Sequence, residues 1–135
     1  MKTFDVQGID LNVGQREALA FIADPNQLPK WTNAFATVTQ GRAVMQTPNG
    51  EVMIDLEVNA SPDHGTVDWR MTFPDHSVAT AFSRVVGVDR DHCIFCFVLT
   101  PPPVPLEQLE CALEAQSKTL ADELKKLKEI LERDE

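Results

Sequence analysis

Basic residues are scarce in this sequence. Lysine and arginine together number 12, against 21 aspartates and glutamates, which gives a formal net charge of -9. A field of that sign repels phosphate backbones and anionic membrane surfaces at long range. We therefore expect no nucleic-acid partner.

Long apolar runs are absent as well. No stretch reaches the roughly 18 apolar residues that suggest a membrane-spanning helix, and residues 1–5 lack the basic and apolar regions of a secretory signal. Both absences predict a protein that does not insert into membranes and that works in the cytoplasm. The length of 135 residues suits one ordinary domain, so we expect residues 1–135 to form a single unit.

Cysteine is rare, and its spacing favours neither a metal site nor a disulfide. The three residues Cys93, Cys96 and Cys111 make an odd number, which suits reduced thiols in a cytosolic protein. Cys93 and Cys96 match C-x-x-C, but residues three apart on a strand point to opposite faces, and no second ligand pair lies nearby. We expect no bound metal.

Sequence signatures of catalysis are missing too. There is no glycine-rich phosphate loop, no nucleophile elbow and no Ser/His/Asp arrangement. His64 and His76 fall in predicted turns and His92 at the start of a predicted strand, so none of them is placed as a general base. The catalytic residues stay unknown, and we expect no cofactor.

Alternation of apolar and polar residues, by contrast, is frequent and predicts antiparallel strands. Residues 51–59 and 67–73 each place apolar side chains at every second position, which is typical of a strand with one wet face. Residues 4–13 follow the same pattern with a slip at Gly8. Residues 77–88 and 92–100 are longer strands, and the second is apolar on both faces, as in a strand covered on both sides.

One hairpin can be given a register. Asn49-Gly50 is a strong signal for a two-residue turn. It would set Met45 opposite Ile54 on the core face and Arg42 opposite Glu57 on the wet face.

Helical spacing occurs near the start and at the end of the chain. Residues 15–23 predict a short helix, and Asp24-Pro25 predicts the N-cap and first position of a second one, which Pro29 would end. The last segment, 105–135, repeats leucine every seven residues and predicts one long amphipathic helix. A sheet of about seven strands needs such a cover, so we favour core packing over a coiled coil.

Three segments give this chain a family resemblance. Residues 21–31 (FIADPNQLPKW) resemble the segment that opens bacterial SRPBCC proteins of the polyketide cyclase/dehydrase-like branch. Residues 67–70 (VDWR) and 100–103 (TPPP) look like the same group. The resemblance implies an α+β, START-related, Bet v 1-like helix-grip fold, in which two short N-terminal helices and an antiparallel sheet accompany a long C-terminal helix.

The same resemblance implies a cavity for a hydrophobic ligand such as a lipid, an isoprenoid quinone or a polyketide. No catalytic residue set is shared across that superfamily, so none is carried over. From the strand pattern and the cavity together we predict ligand-binding residues on the inner wall. They are Trp31, Trp69, Met71, Phe82, Arg84 and Phe97.

Arg84 is the unusual member of this set, because a buried arginine must be paired or must meet a ligand. If Asp75-His76 forms a two-residue turn, Trp69 pairs with Phe82 and Arg84 points inward, where it would orient the polar head of an anionic or carbonyl-bearing ligand. A three-residue loop would shift the register by one and pair Asp68 with Phe82, which conflicts with the apolar face of the strand, so we favour the two-residue turn.

Three functions are compatible with these observations. The first is binding of a hydrophobic or amphipathic small molecule between the sheet and the terminal helix. The second is a polyketide cyclase or dehydratase, which requires a titratable group with a shifted pKa inside the cavity. The third is a homodimeric interaction module without a ligand, formed through a sheet edge or the exposed part of the long helix.

The cysteine pattern makes a direct prediction. Thiol counting on freshly prepared, denatured protein should find all three thiols free, and metal analysis should find no zinc, because Cys93 and Cys96 face opposite ways. Stoichiometric zinc or fewer than three free thiols would contradict the strand assignment of residues 92–100 as well.

Overall fold

The computed structural model describes residues 4–47, 50–100 and 106–133. Within these ranges the chain forms one antiparallel sheet of seven strands in the order β1-β7-β6-β5-β4-β3-β2, two short N-terminal helices and a long C-terminal helix. The bounds are β1 Asp5–Leu11, α1 Gln15–Ala23, α2 Leu28–Trp31, β2 Phe35–Thr39, β3 Arg42–Thr47, β4 Gly50–Ser61, β5 Thr66–Thr72, β6 Val78–Asp89, β7 His92–Leu99 and α3 Leu106–Glu132. This is the α+β helix-grip arrangement that was predicted.

The core lies between one face of the sheet, here called the inner face, and helix α3. Alternate residues of the central strands point to this face and are buried, and the leucines of α3 belong to the same apolar cluster. The leucines concerned are Leu120, Leu124 and Leu127. The predicted amphipathic helix is therefore confirmed as core packing. None of the described helices is long and apolar enough to cross a membrane.

The N-terminal helices follow the sequence signals closely. Helix α1 has the predicted bounds, and the Asp24 side chain accepts a hydrogen bond from the Asn26 N–H at 3.0 Å, as an N-cap does. A 3₁₀ turn over Pro25–Gln27 precedes α2. Pro29 was wrongly predicted to end the second helix: it lies in the first turn of α2, where the missing N–H costs nothing.

The predicted slip at Gly8 is absent from β1. The strand pairs with β7 without interruption, from Asp5 opposite Leu99 to Leu11 opposite Cys93. The apolar residues of the strand do not all share one face, and Val6 lies on the outer face, where it is 55% exposed. Asp5 and Gln7 point inward instead, and both are hydrogen-bonded to Ser117 of α3.

The β3–β4 hairpin is present, but its predicted register is wrong by two residues. Thr47 pairs with Gly50 and Met45 with Val52, and Arg42 forms its ion pair with Asp55 at 3.4 Å instead of with Glu57. Because side chains alternate with a period of two, a shift of two leaves every side chain on its predicted face. The predicted turn residue Asn49 lies outside the described residues.

The loop between β5 and β6 contradicts the predicted two-residue turn. The His76 N–H donates to the Phe73 carbonyl at 2.9 Å, so Pro74 and Asp75 are the central residues of a turn, and His76 follows with φ 70°. This is a three-residue loop with one left-handed residue. Asp75 Oδ1 accepts hydrogen bonds from the N–H and the hydroxyl of Ser77, which stabilises the loop and lowers the pKa of Asp75.

The outer face of β7 is less covered than predicted. Cys93 and Phe95 are buried on the inner face, whereas Ile94 is 40% exposed on the outer one. Because Ile94 remains exposed, the apolar outer side chains of this strand are not evidence of a second layer.

The packing of α3 makes a stability prediction. Leu124 is 3% exposed, so Leu124→Ala should lower the free energy of unfolding by about 2–5 kcal/mol through lost burial and the cavity left behind. Urea denaturation measures the difference, and Lys125→Ala, at the exposed neighbouring position, is the matched control. A loss below about half a kcal/mol for Leu124→Ala would mean that α3 does not close the core.

Candidate functional site

A cavity of about 570 Å³ lies between the inner face of the sheet, helix α3 and the α2–β2 turn. Its wall is largely apolar. The large side chains on it are Leu28, Trp31, Phe35, Met45, Trp69, Met71, Phe73, Phe97, Leu99 and Leu120. Exposed residues of α3, Ala115, Gln116 and Thr119, also line it and mark where it meets solvent.

Packed aromatic rings form one side of this cavity. Trp31 and Trp69 lie with ring centroids 6.4 Å apart, and Trp69 stacks on Phe97 at 5.7 Å. Trp31 reaches the cavity because the Asp24 cap and Pro29 set the path of α2, while Trp69 and Phe97 point inward from β5 and β7. Contacts of this kind orient large flat side chains and limit their rotamers.

Four of the six predicted ligand-binding residues thus meet at one cavity: Trp31, Trp69, Met71 and Phe97. Their role in binding stays a prediction. The indole N–H groups of Trp31 and Trp69 are buried and have no partner among the described residues. A buried donor without a partner destabilises a folded protein by about 1–3 kcal/mol. Two such donors on one wall are therefore unusual for side chains that serve only to pack the core.

The prediction of an inward Phe82 and Arg84 was wrong. The three-residue loop pairs Asp68 with Phe82 and Thr66 with Arg84, a register one residue away from the predicted one. A shift of one residue reverses the face of every side chain. Phe82 is therefore 43% exposed on the outer face, and the exposed Arg84 side chain donates to the His64 carbonyl at 3.2 Å.

The cavity instead contains an acid that the sequence reading missed. Glu123 of α3 is 9% exposed and lines the cavity, and its Oε2 accepts a hydrogen bond from the Asn33 N–H at 2.6 Å. Burial raises the pKa of this carboxyl, and the N–H groups of Asn33 and Ala34 oppose that rise only in part. The signal was available, since Glu123 follows Leu120 by three residues and precedes Leu127 by four, on the apolar face of the helix.

Glu123 also fixes the wall of the cavity. Its hydrogen bond to Asn33 joins α3 to the turn that follows α2, the helix that carries Trp31. In the same turn the Thr32 hydroxyl donates to the Leu28 carbonyl at 2.7 Å. These bonds hold the Trp31 side of the cavity against α3.

The raised pKa of Glu123 makes a pH prediction. Because the folded-state pKa lies above the ordinary value of 4.5, the wild type is fully stabilised below that pH and loses stability as the pH rises through the folded-state pKa. Glu123→Gln keeps an oxygen for the Asn33 N–H and removes the charge. As the pH rises above 4.5, urea denaturation should show a larger loss in the free energy of unfolding for the wild type than for this variant.

The matched control for that measurement is Glu129→Gln, the same substitution at an exposed position of α3 that does not contribute to the raised pKa of Glu123. Its pH profile should follow the wild type. If Glu123→Gln also followed the wild type, the buried carboxyl would not be the source of the pH dependence.

Comparisons with known proteins identify the fold. No protein-family model matches the sequence, and a search of curated proteins gave no match. Among solved structures, a START superfamily protein from Mycobacterium smegmatis superposes with a TM-score of 0.73 and 12% identity, over 99% of this chain and 100% of that one. A conserved protein from Geobacillus kaustophilus gives a TM-score of 0.74 and 12% identity, over 98% and 96%.

The Zhui aromatase/cyclase from Streptomyces sp. R1128 superposes with a TM-score of 0.67 and 10% identity, over 96% of this chain and 93% of that one. At such identities the likeness is one of fold, and the site residues are not carried over. The chain has the helix-grip fold found in START superfamily and aromatase/cyclase structures, in agreement with the resemblance noted in its sequence.

Proposed function

We propose that this protein binds a hydrophobic or amphipathic small molecule in the cavity between its sheet and helix α3. The observation that carries the proposal is the cavity itself, about 570 Å³ with a largely apolar wall. Pockets for small molecules commonly span about 300–1,000 Å³ and combine such walls with a few polar groups. A lipid, an isoprenoid quinone or a polyketide-like molecule is the expected kind of ligand.

The wall of the cavity favours an apolar occupant. The cavity meets solvent near Ala115, Gln116 and Thr119, yet most of its wall consists of large apolar side chains. An apolar ligand would remove these side chains from water, which favours binding.

The fold supports the same proposal in general terms. The chain shares its architecture with a START superfamily protein and with the Zhui aromatase/cyclase over nearly the full length of each. A shared fold does not transfer a substrate, so the ligand has to be argued from the cavity. The cytoplasmic location, the single-domain extent of residues 1–135 and the homodimer alternative remain predictions from the sequence.

Glu123 favours a second candidate function, a cyclase or dehydratase acting on a polyketide-like substrate. Such an enzyme needs a titratable group inside the cavity, and burial raises the pKa of this carboxyl towards the range in which a general acid or base works. Turnover of a poly-β-keto substrate that Glu123→Gln abolishes, with binding retained, would favour the enzyme over the binding protein.

The binding proposal is tested with the protein's own fluorescence. The sequence has two tryptophans and no tyrosine, and both tryptophans line the cavity, so intrinsic emission reports on the site alone. We expect the neutral apolar probe N-phenyl-1-naphthylamine to bind saturably and to change that emission. Extraction into organic solvent followed by mass spectrometry should recover a co-purified apolar molecule.

A pair of variants shows where the probe binds. Ala81 of β6 pairs with Trp69 of β5, and both line the cavity. Ala81→Phe should therefore fill part of the cavity volume and weaken probe binding by about tenfold or more. Arg84→Met alters the exposed outer face and should leave the affinity unchanged. Equal affinity in wild type and Ala81→Phe would refute binding in this cavity.

A further inference from the structure

The charge inside the cavity has one sign. Glu123 is the single ionisable side chain among the described residues that line it, and no lysine, arginine or histidine belongs to that group. The sequence reading had expected the opposite, a cation supplied by Arg84. The ionisable group that a ligand meets in the cavity is therefore a carboxyl.

Glu123 is not neutralised by a protein cation. In the part of the chain that the structure describes, it forms no ion pair, and Lys126 acts on it only from a distance on the exposed side of α3. A buried carboxylate that is held by backbone N–H groups but lacks an ion-pair partner is costly, and a ligand group that donates to it or pairs with it would offset part of that cost.

The carboxyl also has unused hydrogen-bonding capacity. The backbone N–H groups of Asn33, at 2.6 Å from Oε2, and of Ala34 act on this carboxyl, whereas a carboxylate offers about four acceptor positions. The nearest polar side chains along the same helix face are Thr119 and Gln116, which line the cavity one and two turns earlier. The Thr119 hydroxyl donates to the Ala115 carbonyl at 3.1 Å, so it leaves Glu123 to other donors.

We infer that the cavity takes an amphiphile whose polar group donates a hydrogen bond, an alcohol or an amine, and discriminates against a carboxylate. This inference rests on the proposed function. A donor group would complete the hydrogen bonding of Glu123, and an ammonium would also pair with its charge. A ligand carboxylate would instead bring a second negative charge into a site where two carboxylates cannot both ionise without repulsion.

The test compares three ligands with the same ten-carbon chain: 1-decanol, decylamine and decanoate. Each displaces N-phenyl-1-naphthylamine at neutral pH, and the affinities are compared within one protein. For the wild type we expect decanoate to bind about tenfold or more weakly than 1-decanol, and decylamine to bind at least as tightly.

Two variants assign that preference to Glu123. Glu123→Gln should bring decanoate to within about threefold of 1-decanol, whereas Glu129→Gln, which changes the net charge equally at an exposed position, should keep the wild-type ratio. Thr119→Lys places a cation at the exposed mouth of the cavity, one turn from Glu123, and should raise the decanoate affinity even if Glu123→Gln does not fold.

The outcomes separate the inference from the proposal on which it rests. Decanoate binding as tightly as 1-decanol to the wild type, or a ratio that Glu129→Gln changes as much as Glu123→Gln, would overturn the inference and leave the cavity a ligand site. If neither the neutral probe nor any of the three decyl compounds binds, the proposed function itself fails.

Discussion

The contact between the leucine face of α3 and the inner face of the sheet is the interaction on which the rest of this structure depends. Leu120, Leu124 and Leu127 join the apolar cluster of the central strands, so the helix closes the open side of a sheet that has one wet face. Closure is incomplete around Ala115 and Thr119, where small and polar side chains replace leucine. The same helix that seals the core therefore leaves the cavity.

Hydrogen bonds arrange the polar groups inside this contact. Ser117 of α3 bonds Gln7 and Asp5 of β1, and Glu123 bonds the turn that positions Trp31. The Glu123 carboxyl both holds the α2–β2 turn in place and lines the cavity. A ligand that meets this carboxyl would touch the group that holds α2 against α3.

The registers predicted for the β3–β4 and β5–β6 hairpins were both wrong, and one physical reason explains why only the second error moved side chains to the wrong face. The predicted β3–β4 register was wrong by two residues, but every side chain still lies on its predicted face, because side-chain direction in a strand alternates with a period of two residues. The β5–β6 register was wrong by one, and that exchanged the faces of β6. The loop contains His76, which has a positive φ. Glycine is the residue that usually indicates a positive φ, and this position has none.

Local patterns in the sequence were sufficient to determine the bounds of α1, the Asp24 cap, the α3 packing face and the inward direction of Trp69, while the helix-grip fold was implied by the family resemblance. Each of these local features follows from periodicity or from bonds between neighbours in the chain. Only the tertiary structure decided that Arg84 lies outside and that Glu123, which its spacing already places on the apolar face of α3, meets the cavity wall. These positions depend on a loop of three residues and on which turn of α3 contacts the α2–β2 segment. Long-range register sets such positions, and short-range pattern does not contain it.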